Sequence, residues 1–162
     1  MIFVTVGTHE QQFNRLIEEI DKLKADGIIE EDVFIQTGFS TYQPKFCESK
    51  KLISYNEMKD YIKKAEIIVT HGGPSTFMSV IMQNKKPIVV PRKFDYGEHI
   101  NNHQLDFCKK VQLLYDNIFL VENVSDLVNF FLLPKENFIS SEIKLNNKNF
   151  CNKLEEQINL LF

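Results

Sequence analysis

The chain has 162 residues, 43% hydrophobic and 25% charged, with only 6 Gly and 5 Pro, which fits one compact domain and excludes a disordered, collagen-like or low-complexity protein. A formal net charge of -3 supplies no basic field and so excludes non-specific nucleic-acid binding through phosphate neutralisation. An aromatic stock of 14 Phe against 5 Tyr, with no Trp, serves apolar cores better than an exposed base-stacking platform.

The run Ile2-Phe3-Val4-Thr5-Val6, stopped by Gly7, predicts a strand buried on both faces and central in a parallel sheet. Phe13, Leu16, Ile17, Ile20 and Leu23 then recur at helical spacing, closed by Gly27, and predict an amphipathic helix lying on that sheet. Val33-Phe34-Ile35 predicts a second strand and Leu52-Ile53-Ser54-Tyr55 a short third one. Asn56 is the expected N-cap of a helix through Met58, Tyr61 and Ile62. Ile67-Ile68-Val69 is the next buried strand, followed by a helix carrying Phe77, Val80 and Ile81, and Pro87 to Pro91 the strand after it. A polar loop from Arg92 to Asn102 leads into a helix holding His103, Leu105, Phe107, Cys108 and Val111; a strand over 118–121 and a helix over 124–132 follow. The alternation of strand and helix predicts right-handed crossovers and an α/β, doubly wound parallel sheet with helices on both faces. The stretch from Ser140 to Asn149 reads as a linker, and Phe150, Leu154, Ile158 and Leu161 form an apolar stripe on a helix expected over 148–162.

Cys47, Cys108 and Cys151 are odd in number, widely spaced and without a CxxC, which predicts reduced thiols in a cytoplasmic protein rather than a disulfide framework or zinc ribbon. The N-terminus has neither the basic start nor the apolar run of a signal peptide, and no stretch approaches the ~20 apolar residues of a membrane span. Membrane contact is therefore expected only through a surface or a partner.

Ligands of an open parallel sheet bind beyond the carboxyl ends of the strands. The residues there include His71-Gly72-Gly73-Pro74-Ser75-Thr76, in which glycines let backbone N–H groups approach an anion, Pro74 suits a first helical turn, and Ser75 and Thr76 add hydroxyls at the positive end of a helix. The same residues also fit a plain strand-to-helix turn. They match neither a Walker loop nor a dinucleotide fingerprint. Glu98, His99, Asn102, His103 and Gln104 gather carboxylate, imidazole and amide groups suited to sugar hydroxyls. The i,i+4 pair His99 and His103 lacks a third ligand at diagnostic spacing, so no metal site is expected. After Gly7 and Thr8, His9 fits a base, a phosphate donor or a helix start.

Taken together, VTVGTHEQQF, Gln36-Thr37-Gly38, IIVTHGGPS, PIVVPR and Glu98-His99 with Asn102-His103-Gln104 resemble the small, donor-binding catalytic subunits of split family 28 glycosyltransferases. The likeness is to the bacterial capsule and exopolysaccharide type, akin to the cytosolic subunit of the dolichol-linked N-acetylglucosaminyltransferase. It runs through residues 1 to about 115. The resemblance implies a Rossmann-like domain equivalent to the C-terminal half of a GT-B enzyme, with the acceptor-binding half a separate, membrane-anchored polypeptide. It places Gly7, Thr8 and His9 on one side of the donor diphosphate and His71, Gly72, Gly73, Pro74, Ser75 and Thr76 on the other. Tyr55 and Met58 fall at uracil contacts, Asn102, His103 and Gln104 at sugar contacts, and Ser79 stands where many relatives carry an acidic residue for the ribose.

The implied chemistry is inverting transfer of a hexose from a UDP-sugar to a lipid-pyrophosphate-linked saccharide, without cofactor or essential metal, at the inner face of the membrane. His9 is then the base, or a phosphate ligand with the base on the partner. The terminal helix docks that partner or packs on its own sheet. A non-catalytic UDP-sugar-binding regulator and a UDP-sugar epimerase or hydrolase are the rival readings of the same pocket.

Overall fold

Parallel pairing joins strands Ile2–Thr5 (β1), Val33–Gln36 (β2), Glu48–Lys50 (β3), Ile67–His71 (β4), Ile88–Val90 (β5) and Phe119–Leu120 (β6) into one sheet, in the order β3-β2-β1-β4-β5-β6. This computed structural model describes residues 1–140; Cys151, the expected terminal helix over 148–162 and nearly all of the expected linker lie outside the described residues. The first strand is indeed central: Ile2 stands opposite both Val33 and Ile67.

Alternate residues of the buried strands face opposite layers. Ile2, Val4, Val6, Val33, Ile35, Ile67, Val69, Ile88 and Val90 meet the apolar stripe of helix α1 (Asn14–Ala25) and, beside it, Leu127 and Phe138. Phe3 and Ile68 face helix α2 (Tyr55–Lys64) and Val80 of helix α3 (Pro74–Ile81). Val89 packs with Phe77, Ile81 and helix α4 (His103–Tyr115) through Cys108 and Val111. These layers make the α/β, doubly wound, Rossmann-like fold. Burial pushes the thiols of half-buried Cys47 and fully buried Cys108 up to about 12, so both stay protonated.

Three expectations about elements are corrected. The third strand is Glu48–Lys50 and not Leu52 to Tyr55. It is an exposed edge strand with charged side chains, a composition that discourages edge-to-edge pairing and carries no apolar signal. Helix α2 is capped by Ser54, not Asn56: the Ser54 side chain accepts from Glu57 N–H while the Glu57 carboxylate accepts from Ser54 N–H, a reciprocal capping box. The helix expected over 124–132 is a 3-10 turn, Val124–Asp126, leading into a short helix α5 (Leu127–Phe131).

Candidate functional site

The strand order reverses direction between β1 and β4, and an open parallel sheet of this order leaves a crevice outside the carboxyl ends of those two strands. The chain leaves β1 through Gly7-Thr8-His9 and leaves β4 through Gly72-Gly73 into α3, so both glycine turns border that crevice.

Gly7 takes φ +77° and Gly38 φ +55°, left-handed values that favour glycine. Gln36 ties the first turn down: its amide donates to Gly7 O at 2.9 Å, and the Thr5 hydroxyl donates to its Oε1 at 2.5 Å. Between the two turns stands the imidazole of His71. A β-carbon on Gly7 would lie 2.5 Å from His71 Cε1, and one on Gly73 would overlap His71 Nε2. A β-carbon on Gly72 would lie 3.0 Å from Gln104 Cβ. The glycines expected to admit an anion therefore first make room for side chains of the protein itself. Burial, with help from the Arg92 guanidinium, pushes the His71 pKa down to about 4, so the ring is neutral near pH 7. Its Nδ1 is buried without a hydrogen-bond partner among the described residues.

Pro74 occupies the first turn of α3, where its missing N–H costs nothing. Among the described residues no group accepts the N–H of Gly72, Gly73 or Ser75, nor that of Thr8 or His9. Ser75 and Thr8 are exposed and Thr76 is half-buried. Unfilled N–H groups at the positive end of a helix are chemically suited to an anion.

Ser79 lies one turn further along α3, about 6 Å up the axis, and its hydroxyl donates to Ser75 O at 2.7 Å. It lines a cavity of about 480 Å³ together with Tyr55, Met58 and Met82. Tyr55, Met58 and Ser79, drawn from two helices, thus come together in one cavity. The exposed Tyr55 ring lies 4.5 Å from Lys59 Nζ.

His9 is exposed. Gln11 N–H donates to its Nδ1 at 3.3 Å, and its ring centroid lies 4.9 Å from that of His99. Desolvation, then Arg92 and His99, lower its pKa. A neutral imidazole that accepts at Nδ1 carries its proton on Nε2 and donates there.

The loop from Arg92 to Asn102 departs from expectation at Glu98. Its side chain is fully buried, and both oxygens are held by Arg15, at 2.8 and 2.9 Å, with Lys93 N–H donating at 3.0 Å. It fastens the loop to α1 and does not face the open crevice. Asn102 Oδ1 accepts from Phe94 N–H and Gln104 Oε1 from Arg92 N–H, which leaves their amide N–H groups toward solvent chemistry. His99 is half-buried and His103 exposed, its ring 6.5 Å from Phe107.

Sequence reasoning passed over Arg15, and quoted Gln36 and Arg92 only within motifs, without a role for either. Arg92 is fully buried, donating to the carbonyls of Val6, Gln11, Gln12 and Glu98. The only available signal was its place right after a buried strand, where an arginine ordinarily reads as surface. Among the described residues no three His, Cys, Asp or Glu side chains converge as metal ligands, and no helix is long and apolar enough to cross a membrane.

Comparison with known proteins adds the following. The family model described as the glycosyltransferase family 28 C-terminal domain matches residues 1–158. The human protein named UDP-N-acetylglucosamine transferase subunit ALG13 is 28% identical over 119 residues, covering 68% of this chain and 10% of that protein. Among solved structures, MurG of Acinetobacter baumannii aligns with a TM-score of 0.55 at 15% identity, over 83% of this chain and 42% of that one. The glycosyltransferase SnogD from Streptomyces nogalater aligns at 0.47 and 14% identity, over 75% of this chain and 31% of that one. The chain therefore spans less than half the length of each of these relatives.

Proposed function

The chain belongs to the glycosyltransferase family 28 C-terminal domain family, its fold is that of the C-terminal half of a GT-B enzyme, and on that premise we propose that it is the donor-binding half of a hexosyltransferase. In this reading it takes a UDP-sugar, transfers the hexose with inversion to a lipid-pyrophosphate-linked saccharide of the capsule or exopolysaccharide kind, and needs no metal. A membrane-anchored partner supplies the acceptor half, and holds this chain at the inner face of the membrane. The name of the human relative, a transferase subunit for a UDP-sugar, supports the donor class and the split arrangement.

The observation that carries the reading is the alignment of two features on α3. Unfilled N–H groups at its start face the β1 turn, and the cavity of Tyr55, Met58 and Ser79 opens one turn further on. Diphosphate and nucleoside of one ligand fit that spacing. Negative charge that grows on the diphosphate as the glycosidic bond breaks meets the α3 N-terminus, the hydroxyls of Thr8, Ser75 and Thr76, and the His9 Nε2–H. His71, neutral and enclosed, sets the distance between the turns. The amide groups of Asn102 and Gln104, with His99 and His103, take the sugar hydroxyls.

In this account His9 is a donor to the diphosphate, because its Nδ1 already accepts from Gln11 N–H. The general base that takes the acceptor proton then belongs to the partner half, whose hydroxyl-bearing acceptor approaches from the face opposite the diphosphate.

Two measurements test the reading. Calorimetry of the full chain with UDP in excess chelator should give binding; no binding without an added divalent ion would refute the metal-free site. Membranes carrying the partner should move labelled hexose from a UDP-sugar into extractable lipid only when this chain is added.

A further inference from the structure

Burying a guanidinium normally requires a carboxylate beside it. Arg92 is fully buried, yet among the described residues it forms no ion pair. Glu98, the nearby carboxylate, is occupied on both oxygens by Arg15. The trio Arg15, Glu98 and Arg92 thus leaves one positive charge in excess beneath the crevice. The hydrogen bonds of Arg92 all go to carbonyls: Nη1 donates to Gln11 O and Gln12 O at 2.9 Å and to Glu98 O at 3.2 Å, and Nη2 donates to Val6 O at 2.9 Å. Its Nε is buried without a partner, and its guanidinium carbon lies 4.8 Å from the centroid of Phe13.

Three of those four carbonyls bracket the β1 turn, Val6 just before Gly7 and Gln11 and Gln12 just after His9 and Glu10. The charge is therefore wrapped by the same turn whose outer side offers unfilled N–H groups. Burial lowers the Arg92 pKa only to about 10, so it stays charged at neutral pH. That charge also helps keep both His9 and His71 neutral. The guanidinium under the floor keeps its positive charge, while the His9 and His71 imidazoles beside it are pushed toward their neutral forms.

Building on the donor-binding reading, we propose that Arg92 is the fixed countercharge of the bound diphosphate, a positioning residue that selects a charged ligand through its field while its hydrogen bonds hold the β1 turn and the 92–98 loop together. A charge in the protein interior acts on an anion some ångströms away through an effective dielectric far below that of water. Its loss should therefore cost charged ligands affinity and leave neutral ones alone.

The test titrates UDP, inorganic pyrophosphate and uridine into the full chain and into Arg92→Lys and Arg92→Gln, with chelator present. For Arg92→Gln, UDP and pyrophosphate should weaken by about thirtyfold or more and uridine by less than about threefold; for Arg92→Lys, which keeps the charge, UDP should stay within about tenfold of wild type. A parallel loss of uridine and UDP would mean a structural role only and overturn the proposal, as would UDP binding that survives Arg92→Gln.

Should Arg92→Gln not fold, Arg92→Lys and the histidine NMR titration of the wild type decide. His9 titrating below 6.5 in the wild type, and still doing so in Arg92→Lys, which keeps the charge, supports a buried charge acting at the turn. His9 titrating at or above that value overturns it. Absence of UDP and pyrophosphate binding by the wild type would instead sink the donor-binding reading, and this proposal with it.

Discussion

A β-carbon added to Gly73 would overlap His71 Nε2, so the imidazole and the α3 turn fit together only because this position has no side chain. Gly73→Ala should destabilise the fold by about 1–3 kcal/mol, the usual range for forcing atoms into a filled site. The double variant His71→Ala/Gly73→Ala should lose less than the two single losses combined, because the obstacle is removed along with the intruder. Denaturant titration of the three variants checks this; simple additivity would mean the two residues do not compete for the same space.

Acid should weaken the protein through His71. Below 6.5 the unfolded chain takes up a proton that folded His71 refuses until about 4, so stability is complete above the upper value and falls as pH drops through that window. The loss approaches about 3 kcal/mol at the bottom of the window. His71→Asn should flatten the profile between those limits in chemical denaturation series; an unchanged slope would assign the acid sensitivity elsewhere.

Replacing His9 separates donor from base. If His9 donates from Nε2 to the diphosphate, His9→Gln should keep UDP affinity within about threefold and much of the transfer rate, while His9→Ala should lose about tenfold in affinity, near one charge-assisted hydrogen bond. A general base behaves differently: both variants would then bind UDP normally and lose at least about a hundredfold in transfer.

Breaking the buried ion pair should cost more than removing it. Arg15→Met leaves the Glu98 carboxylate enclosed with only Lys93 N–H, and should destabilise by about 3–5 kcal/mol. Adding Glu98→Gln to that variant should restore a large part of the loss. Thermal and denaturant unfolding check both; a mild effect of Arg15→Met would show water reaching Glu98.

The cavity residues should answer to the nucleoside alone. Tyr55→Ala ought to weaken UDP by about tenfold, in line with the loss of one stacking aromatic, without changing pyrophosphate affinity. Equal losses in calorimetry would move Tyr55 out of the nucleoside contact.

What could be read from the sequence followed from local physics. The β-branched runs of β1, β4 and β5 and the helical stripe of α1 announce themselves because their partners are simply the layers above and below. Glu48–Lys50 could not be found that way, since an edge strand open to solvent has no apolar face to display. The Ser54–Glu57 cap has a Ser-x-x-Glu spacing that the expectation of Asn56 overlooked. Glu98 illustrates the opposite case. Its neighbours in sequence are polar and pointed to a ligand, but its partner Arg15 comes from the first helix, and no local pattern links them. The same holds for Arg92, whose acceptors are backbone carbonyls and leave no trace in residue identity.

The place of β1 in the sheet bears on how the chain reaches its native state. Ile2 lies next to Val33 on one side and Ile67 on the other, so the earliest strand in the chain is sealed only when a much later one arrives. Non-local parallel pairing of this kind is slow, because loop-closure entropy must be spent before contacts reward it. Until β4 docks, one edge of an apolar strand stays bare, and a kinetically trapped or aggregating intermediate has its opening there. Substitutions that slow β4, such as polar residues at Ile68 or Val69, should therefore lower refolding yield and soluble expression beyond what their effect on equilibrium stability accounts for.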